Sequence, residues 1–343
     1  MTEPTGIAIV GTGDWGANLV RNFASLPGAR LAAVCDSDAE RLRRTAAQVP
    51  QARPLASVDE VAAAADVQAA VVSASAASHY ALARTLLEAG KDVYVEKPLT
   101  LKVADAEHLV ALARERQRIL MVGHLLLFHP AVKYLKDAVT RGELGDLHYL
   151  YSQRVNLGKV RRDENALWSF APHDLSVILH LLEADPVDVV ARGSAFLQPG
   201  VEDVVFVDLR FPGGRMAHVH VSWLDPHKIR KFTVVGSRKM VVFDDMEASE
   251  KVRVYDKGVD TGKVVGWGDA LSVRSGDILI PKIGTQEPLR LECQHFVDCV
   301  RERKTPLTDG AHGLAVVRVL AAAQASLEAG GTPVPVAAAV GAR

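Results

Sequence analysis

Four groups of residues in this 343-residue chain have types and spacings that could do chemistry. Gly11-Thr12-Gly13-Asp14-Trp15-Gly16 directly follows the apolar run Ile7-Ala8-Ile9-Val10 and opens a helical pattern. In that context the first glycine permits a tight turn, the second lets the backbone approach a pyrophosphate, and the third allows close helix–sheet packing. The helix N-terminus then offers N–H groups to the anion. Asp36 ends the next apolar run, about 20 residues beyond the motif. Its carboxylate can accept hydrogen bonds from the adenosine ribose and repels a 2′-phosphate. Ser37 and Asp38 follow rather than arginine, so NAD is favoured over NADP, with FAD as an alternative. Glu96-Lys97-Pro98 closes a predicted parallel strand, where ligands bind in open α/β sheets. A lysine there can reach the crevice, and partial burial would bring its pKa toward working pH. A solvated strand-end lysine is the competing reading. Ser75, His79 and Glu96 join the cofactor-side candidates. His173 follows Pro172 at a predicted helix start, where the helix dipole disfavours imidazolium and favours a neutral base. A capping or core histidine would look the same.

These groups suit alcohol oxidation. Hydride transfer from a C–H bond needs the hydroxyl proton removed in concert, and a histidine or lysine near neutrality serves. His173 is read as the base and Lys97 as the group orienting and polarising the same oxygen, though the roles could be exchanged. Substrate phosphates would need cationic donors, for which Arg154, Arg161 and Arg162 are candidates, with Lys282 a weaker one. Asn165 and Trp168 could contact a sugar or base, and Trp168 could equally be core. His218 and His220 share a strand face without an evident third ligand. Cys293 and His295 point to different faces of one helix, so no metal is expected.

The elements that must position these residues fall into two patterns. Up to about residue 122, near-continuous apolar runs (7–10, 31–35, 71–73, 92–95, 119–122) alternate with helical spacings, describing a doubly wound α/β parallel sheet covered on both faces. Beyond about residue 145 the runs lengthen and alternate, as in Val205–Phe211 and Met216–Trp223, with further strands at 232–235 and 240–243. That predicts an α+β domain with a large, open-faced, mostly antiparallel sheet, interrupted by a helix over about 173–182. Helical spacing returns at 289–301 and about 310–329. The expected domains are 1–124, binding the cofactor, and 125–343, binding substrate and forming the oligomer, with the last helix a candidate to pack back on the first domain. Val204 and Phe206 on one sheet face oppose Val205, Val207 and Leu209 on the other. Soluble monomers rarely expose large apolar patches, so a homo-oligomer is expected.

Composition narrows the classes. Hydrophobic residues make up 48% and charged residues 24%, enough for a sizeable core and against wholesale disorder. Lys+Arg at 40 against Asp+Glu at 41 leaves a net charge of −1, which argues against an electrostatic nucleic-acid binder. No apolar stretch reaches the roughly 20 residues of a membrane span, and the first residues lack a signal pattern. Cys35, Cys293 and Cys299 are too few for a disulfide framework and fit a reducing, cytoplasmic compartment.

The glycine motif, Asp36, Glu96-Lys97-Pro98 and His173, in that order, resemble the Gfo/Idh/MocA oxidoreductases, and the resemblance covers essentially the whole chain. It implies an N-terminal Rossmann domain that binds NAD, a C-terminal open-faced sheet, a catalytic role for Lys97, a cis bond before Pro98, and a tetramer built through the sheet. Residues Asn156 to Asp174, Glu287 to Phe296 and Pro306 to Gly310 are similar to the nucleotide-sugar branch, the UDP-N-acetylglucosamine 3-dehydrogenases. That likeness implies oxidation of the sugar C3 hydroxyl to a ketone, ahead of transamination. Many members carry an aspartate four residues before the histidine. Ser169 stands there instead, which weakens an inositol dehydrogenase reading. A 3-ketoreductase, a polyol dehydrogenase and a nonenzymatic NAD-binding regulator are the alternatives, and the presence of both Lys97 and His173 argues against the last.

Overall fold

The computed structural model describes residues 3–158, 160–162, 164–264 and 271–336, and the counts below refer to these. Lys159 and Asp163, within the stretch similar to the nucleotide-sugar branch, lie outside them. Contacts divide the chain into two compact units, Met1–Phe128 with Gln286–Val317 and His129–Thr285 with Arg318–Arg343.

The first unit alternates β1 (Thr5–Val10), α1 (Gly16–Phe23), β2 (Ala29–Cys35), α2 (Ala39–Gln48), β3 (Arg53–Leu55), α3 (Val58–Ala63), β4 (Ala69–Val72), α4 (Ala76–Glu88), β5 (Asp92–Glu96), α5 (Val103–Glu115) and β6 (Leu120–Gly123). The strands pair in parallel in the order β3-β2-β1-β4-β5-β6. Every residue of β1, β4, β5 and β6 is buried. Such strands show no alternation because both faces need apolar side chains. The strand pleat sends Ile7 and Ile9 to one core with Leu19, Phe23 and Tyr94, and Ala8 and Val10 to the other with Leu86, Leu99 and Leu109.

The second unit comprises α6 (Pro130–Thr140), β7 (Leu147–Val155), α7 (Ala166–Leu182), β8 (Asp188–Ser194), β9 (Val204–Arg210), β10 (Met216–Ser222), β11 (Ile229–Gly236), β12 (Met240–Asp244), β13 (Val252–Val264) and β14 (Leu271–Leu279). With β15 (Val334–Pro335) they form one sheet in the order β14-β13-β12-β11-β7-β10-β9-β8-β15. The β7–β10 pair is parallel and the other pairs are antiparallel. Along β9, Val205, Val207 and Leu209 are buried while Phe206, Asp208 and Arg210 are exposed. Helix α7 packs on β7, β9 and β10, and the opposite face exposes Tyr149, Tyr151, Phe206 and Met216.

Between β14 and β15 run α8 (Pro288–Glu302) and α9 (Gly310–Glu328). Phe296 of α8 meets Phe23 edge-on at 6.4 Å between centroids and Tyr94 at 5.7 Å. Leu314 and Val317 of α9 join the core of Leu99, Leu120 and Val122. The parallel sheet therefore takes part of its cover from residues 286–317, which the sequence-based division at 124/125 assigned to the second domain. From Arg318 onward α9 belongs to the second unit, where Ser326 Oγ accepts from the Ala191 N–H at 2.9 Å. Among the described residues only α9 is long and apolar enough to cross a membrane, and most of it is buried inside the protein, as a core helix is.

Candidate active site

The glycine turn joins the carboxyl end of β1 to α1. Gly11 has φ +93°, and a Cβ there would come within 2.7 Å of the Ala74 nitrogen. A Cβ on Gly16 would lie 2.1 Å from the Gly11 oxygen, so only glycine lets α1 approach the turn. Gly13 differs, since a Cβ there would meet nothing within 4 Å. The protein itself does not require that glycine, and the open space above it fits a pyrophosphate. No side chain caps α1, and within its first turn the Ala17 N–H donates to the Gly13 oxygen and the Asn18 N–H to the Trp15 oxygen, each at 2.9 Å, so an anion would be met at the turn before them. Asp14 and Trp15 are exposed beside the turn. Asp36, immediately after β2, is buried against it. Its Oδ2 accepts from the Thr12 N–H (2.8 Å) and the Thr12 hydroxyl (3.0 Å), and Oδ1 accepts from the Asp38 N–H (2.9 Å). Burial pushes the Asp36 carboxyl up, but these donors and Arg41 outweigh it and hold it below the usual range.

Lys97 sits at the carboxyl end of β5, and its bond to Pro98 is cis. Glu96 before it is buried. The Trp15 indole N–H donates to Glu96 Oε1 at 2.6 Å, and the Tyr94 hydroxyl donates to the same oxygen at 3.2 Å. Burial nonetheless raises the Glu96 carboxyl above its ordinary value. Glu292 of α8 is fully buried nearby, and burial followed by the Glu96 charge pushes it well above the carboxylate range. The sequence does carry a signal for Glu292, which shares the apolar face of Leu289, Cys293 and Phe296 on α8. His79 is buried with its ring nitrogens 2.8 Å from the Pro98 oxygen and 3.1 Å from the Ala74 oxygen. Burial keeps that ring neutral, so one N–H donates at a time and bridges the ends of β4 and β5. Ser75 is exposed at the start of α4, its hydroxyl 3.2 Å from that of Ser78. His124, just past β6, stacks edge-on against His312 at 5.3 Å. Burial holds His124 well below its ordinary value and lowers His312 to about 4.

In the second unit the structure corrects the setting of His173. The histidine does not start a helix. Helix α7 begins at Ala166, capped by Asn165, whose Oδ1 accepts from the Trp168 N–H at 3.1 Å. Pro172 lies inside it, and His173 comes just past its second turn, too far from the N-terminus for the dipole to hold it neutral. Asp174 beside it is buried and receives Arg154 in a two-pronged pair, Nε at 2.7 Å and Nη2 at 3.2 Å. The Arg154 guanidinium therefore braces α7 against β7. The Asn165 amide donates to Glu202 (2.6 Å) and Gln324 (3.0 Å), and Gln324 also accepts from the Trp168 indole (3.2 Å). Arg161 is exposed and paired with Glu164 at 2.9 Å. On the bare sheet face, His218 pairs with Asp208 at 2.8 Å and His220 stacks on Phe206 at 4.4 Å. Among the described residues no three His, Cys, Asp or Glu side chains are gathered to hold a metal. A depression of about 380 Å³ lined by Thr5, Lys91, Asp92 and Arg118 lies at the amino ends of β1 and β5, opposite the glycine turn.

A glycine turn over α1, a buried carboxylate after β2 and a strand-end lysine define a dinucleotide-dependent oxidoreductase. A family model described as an oxidoreductase-family NAD-binding Rossmann fold matches residues 5–124, and one described as a Gfo/Idh/MocA C-terminal domain matches residues 132–242. A putative oxidoreductase from Magnetospirillum magnetotacticum is 30% identical, with 93% of this chain and 99% of that one covered and a TM-score of 0.79. The chain belongs to the Gfo/Idh/MocA oxidoreductase family, uses NAD as its cofactor and acts on CH–OH groups. It is 28% identical to a UDP-N-acetylglucosamine 3-dehydrogenase from Acidithiobacillus ferrooxidans over 92% of this chain and 94% of that protein. A solved structure of that enzyme shares the fold, with a TM-score of 0.82 at 24% identity over 96% and 99% of the chains. A scyllo-inositol 2-dehydrogenase (NAD(+)) from Bacillus subtilis is 25% identical over 88% and 87%.

Proposed function

We propose that the protein oxidises the C3 hydroxyl of a nucleotide-linked sugar, UDP-N-acetylglucosamine, to the 3-keto sugar. The observation that supports the dehydrogenase part of this reading is the Trp15–Glu96 hydrogen bond of 2.6 Å. It ties the glycine turn to the residue before Lys97, so the lysine stands beside the dinucleotide turn. NAD bound there supplies the hydride acceptor. Lys97 and His173 divide the proton work, one accepting the hydroxyl proton while the other orients and polarises the oxygen. Gly11, Thr12, Gly13 and Gly16 cradle the pyrophosphate, and Asp36 takes the adenosine ribose. The substrate assignment draws on the likeness to the 3-dehydrogenase along nearly its full length. Arg161 is the exposed cation we assign to the substrate phosphates. A 3-keto product is the substrate a transaminase needs to make a 3-amino sugar. The exposed Tyr149, Tyr151, Phe206 and Met216 fit a homotetramer built through the bare sheet face. Three buried free cysteines fit the reducing cytoplasm.

The test mixes protein, NAD and UDP-N-acetylglucosamine and follows reduced-nicotinamide absorbance, with an aminotransferase present to draw off the ketone. Turnover on this substrate supports the reading. Turnover on scyllo-inositol alone would favour a polyol dehydrogenase, the second reading suggested by the inositol-oxidising relative. Tight NAD binding without turnover on any sugar or polyol would leave a regulator.

A further inference from the structure

Glu292 of α8 is a buried titratable group that the proposed reaction does not use. It is 0% exposed, and neither carboxyl oxygen completes a hydrogen bond of good geometry among the described residues. Its hydrogen-bonding neighbour is the hydroxyl of Tyr94, itself fully buried. That hydroxyl donates to Glu96 Oε1 at 3.2 Å, and the Trp15 indole donates to the same oxygen at 2.6 Å. Glu96 Oε2 accepts from the Lys97 N–H at 3.3 Å. A Cβ on Gly123 would come within 2.9 Å of that oxygen, so the glycine leaves the carboxyl its room. Lys97 and Trp15 thus face Glu96, and the Cys293 thiol faces Glu292, with the Arg21–Glu287 ion pair acting on Cys293 from the start of α8. Two carboxyls meet one phenol in a region of low dielectric, where a second negative charge is costly. The pair therefore holds one proton at neutral pH and titrates as a unit.

We propose that Glu96, Tyr94 and Glu292 form a proton-sharing relay behind Lys97, with Glu292 as a positioning residue for the charge beside the lysine. The Tyr94 O–H proton passes to Glu96 as Glu292 returns one to the Tyr94 oxygen. The pair keeps a single negative charge throughout, and only its place changes. With the charge on Glu96, the Lys97 ammonium is favoured. With the charge on Glu292, it stands one residue further from the lysine, and Lys97 gives up its proton more readily. This inference rests on the reading of Lys97 as a proton-handling residue.

Infrared spectroscopy reads the shared proton directly. At neutral pH the wild-type protein should show the carbonyl band of a protonated carboxyl. Glu292→Gln should lose that band, and Glu302→Gln, an exposed control on the same helix, should keep it. Amine-reactive labelling of Lys97 across pH, read by peptide mass spectrometry, follows the lysine's own titration without turnover. In Glu292→Gln the relay is cut and Glu96 keeps its charge, so Lys97 should titrate about one pH unit higher. Glu292→Met, which fills the space with no proton to share, should shift it the same way. No such band in wild type, a band that survives Glu292→Gln, or an unmoved Lys97 titration in both variants overturns the proposal. A purely structural Glu292 would leave the lysine's titration where it is. If the labelling shifts while the pH profile of kcat does not, the relay stands, and the assignment of Lys97 to the proton chemistry is what fails. Melting curves show whether each variant remains folded.

Discussion

The two sheets spend their surfaces differently. The central strands of the parallel sheet in the first unit are buried on both faces, so apart from the short edge strand β3 its strand ends meet solvent, and the glycine turn, Asp36 and Lys97 all lie at the carboxyl ends of β1, β2 and β5. The second sheet has one face under α7 and the other bare, with Tyr149 45% and Met216 54% exposed. Its candidate base rides on the covering helix rather than on a strand. A doubly covered sheet leaves its edges and ends for chemistry, whereas a singly covered one has a whole face left for association.

The largest effects should come from removing the two candidate proton-handling residues, one in each unit. Lys97→Ala and His173→Ala should each lower kcat by about 10²- to 10⁴-fold, the usual reach of a positioned acid or base. Calorimetric NAD affinity should stay within threefold in both. Unchanged turnover in both variants would refute the site, and a loss confined to one would show that a single unit carries the proton chemistry.

Stability separates the sheets next. Ile9→Ala empties a fully buried position in β1 and should cost about 2–5 kcal/mol in urea unfolding. Tyr151→Ala removes a side chain 41% exposed on the bare face. It should change subunit stability by about 0.5 kcal/mol or less while weakening self-association in sedimentation. Equal destabilisation by the two substitutions, with the oligomer untouched, would mean the bare face is ordinary surface.

Buried titratable groups give the first unit opposing pH dependences. His312 titrates near 6.5 when unfolded and at about 4 when folded. The unfolded chain therefore binds the extra proton as pH falls, and stability is lost from pH 6.5 down to about 4. Glu292 is raised, so its contribution is present below 4.5 and lost as pH rises above that. The two slopes partly cancel in the wild type and separate in variants. Relative to wild type, His312→Gln should gain as pH falls below 6.5, by on the order of 3 kcal/mol. Glu292→Gln should gain as pH rises above 4.5. In the second unit, burial raises Asp245, but His129 and Lys251 prevail and lower it to about 2, so its contribution goes only below 3.8. Unfolding at pH 3 and pH 5 with each variant checks the signs.

Much of the first unit was legible because buried parallel strands are unbroken apolar runs and the glycine spacing is dictated by sterics at Gly11 and Gly16. Short β3 carries Arg53 and Pro54, and no run of that kind announces it. The helical spacing at about 310–329 did mark a helix able to pack back on the first domain, and Leu314 and Val317 do so, but the return of α8 was not legible, since an amphipathic helix does not name the sheet it will cover. Pro172 misled the reading of α7. A proline usually marks a helix start, but here the helix already runs from its Asn165 cap and passes through the proline. The pairing of Arg154 with Asp174 was invisible for the same reason, because it needs the first two turns of α7. Arg41 was not legible beside Asp36 because it lies on the first turn of α2, which brings it back to the carboxylate.

The smallest predicted effect decides what Asn165 does. Its side chain caps α7 and its amide bonds Glu202 and Gln324, so its polar atoms are occupied within the second unit. Asn165→Ala removes the cap and should cost about 1 kcal/mol, seen as a small drop in Tm. Asn165→Ser restores a capping oxygen but not the amide, and should recover part of that loss. If Asn165 only holds the helix, kcat and sugar KM in the serine variant should lie within threefold of wild type. A sugar KM raised tenfold in that variant, with Tm recovered, would mean that the amide reaches substrate and that α7 presents a second polar contact beside His173.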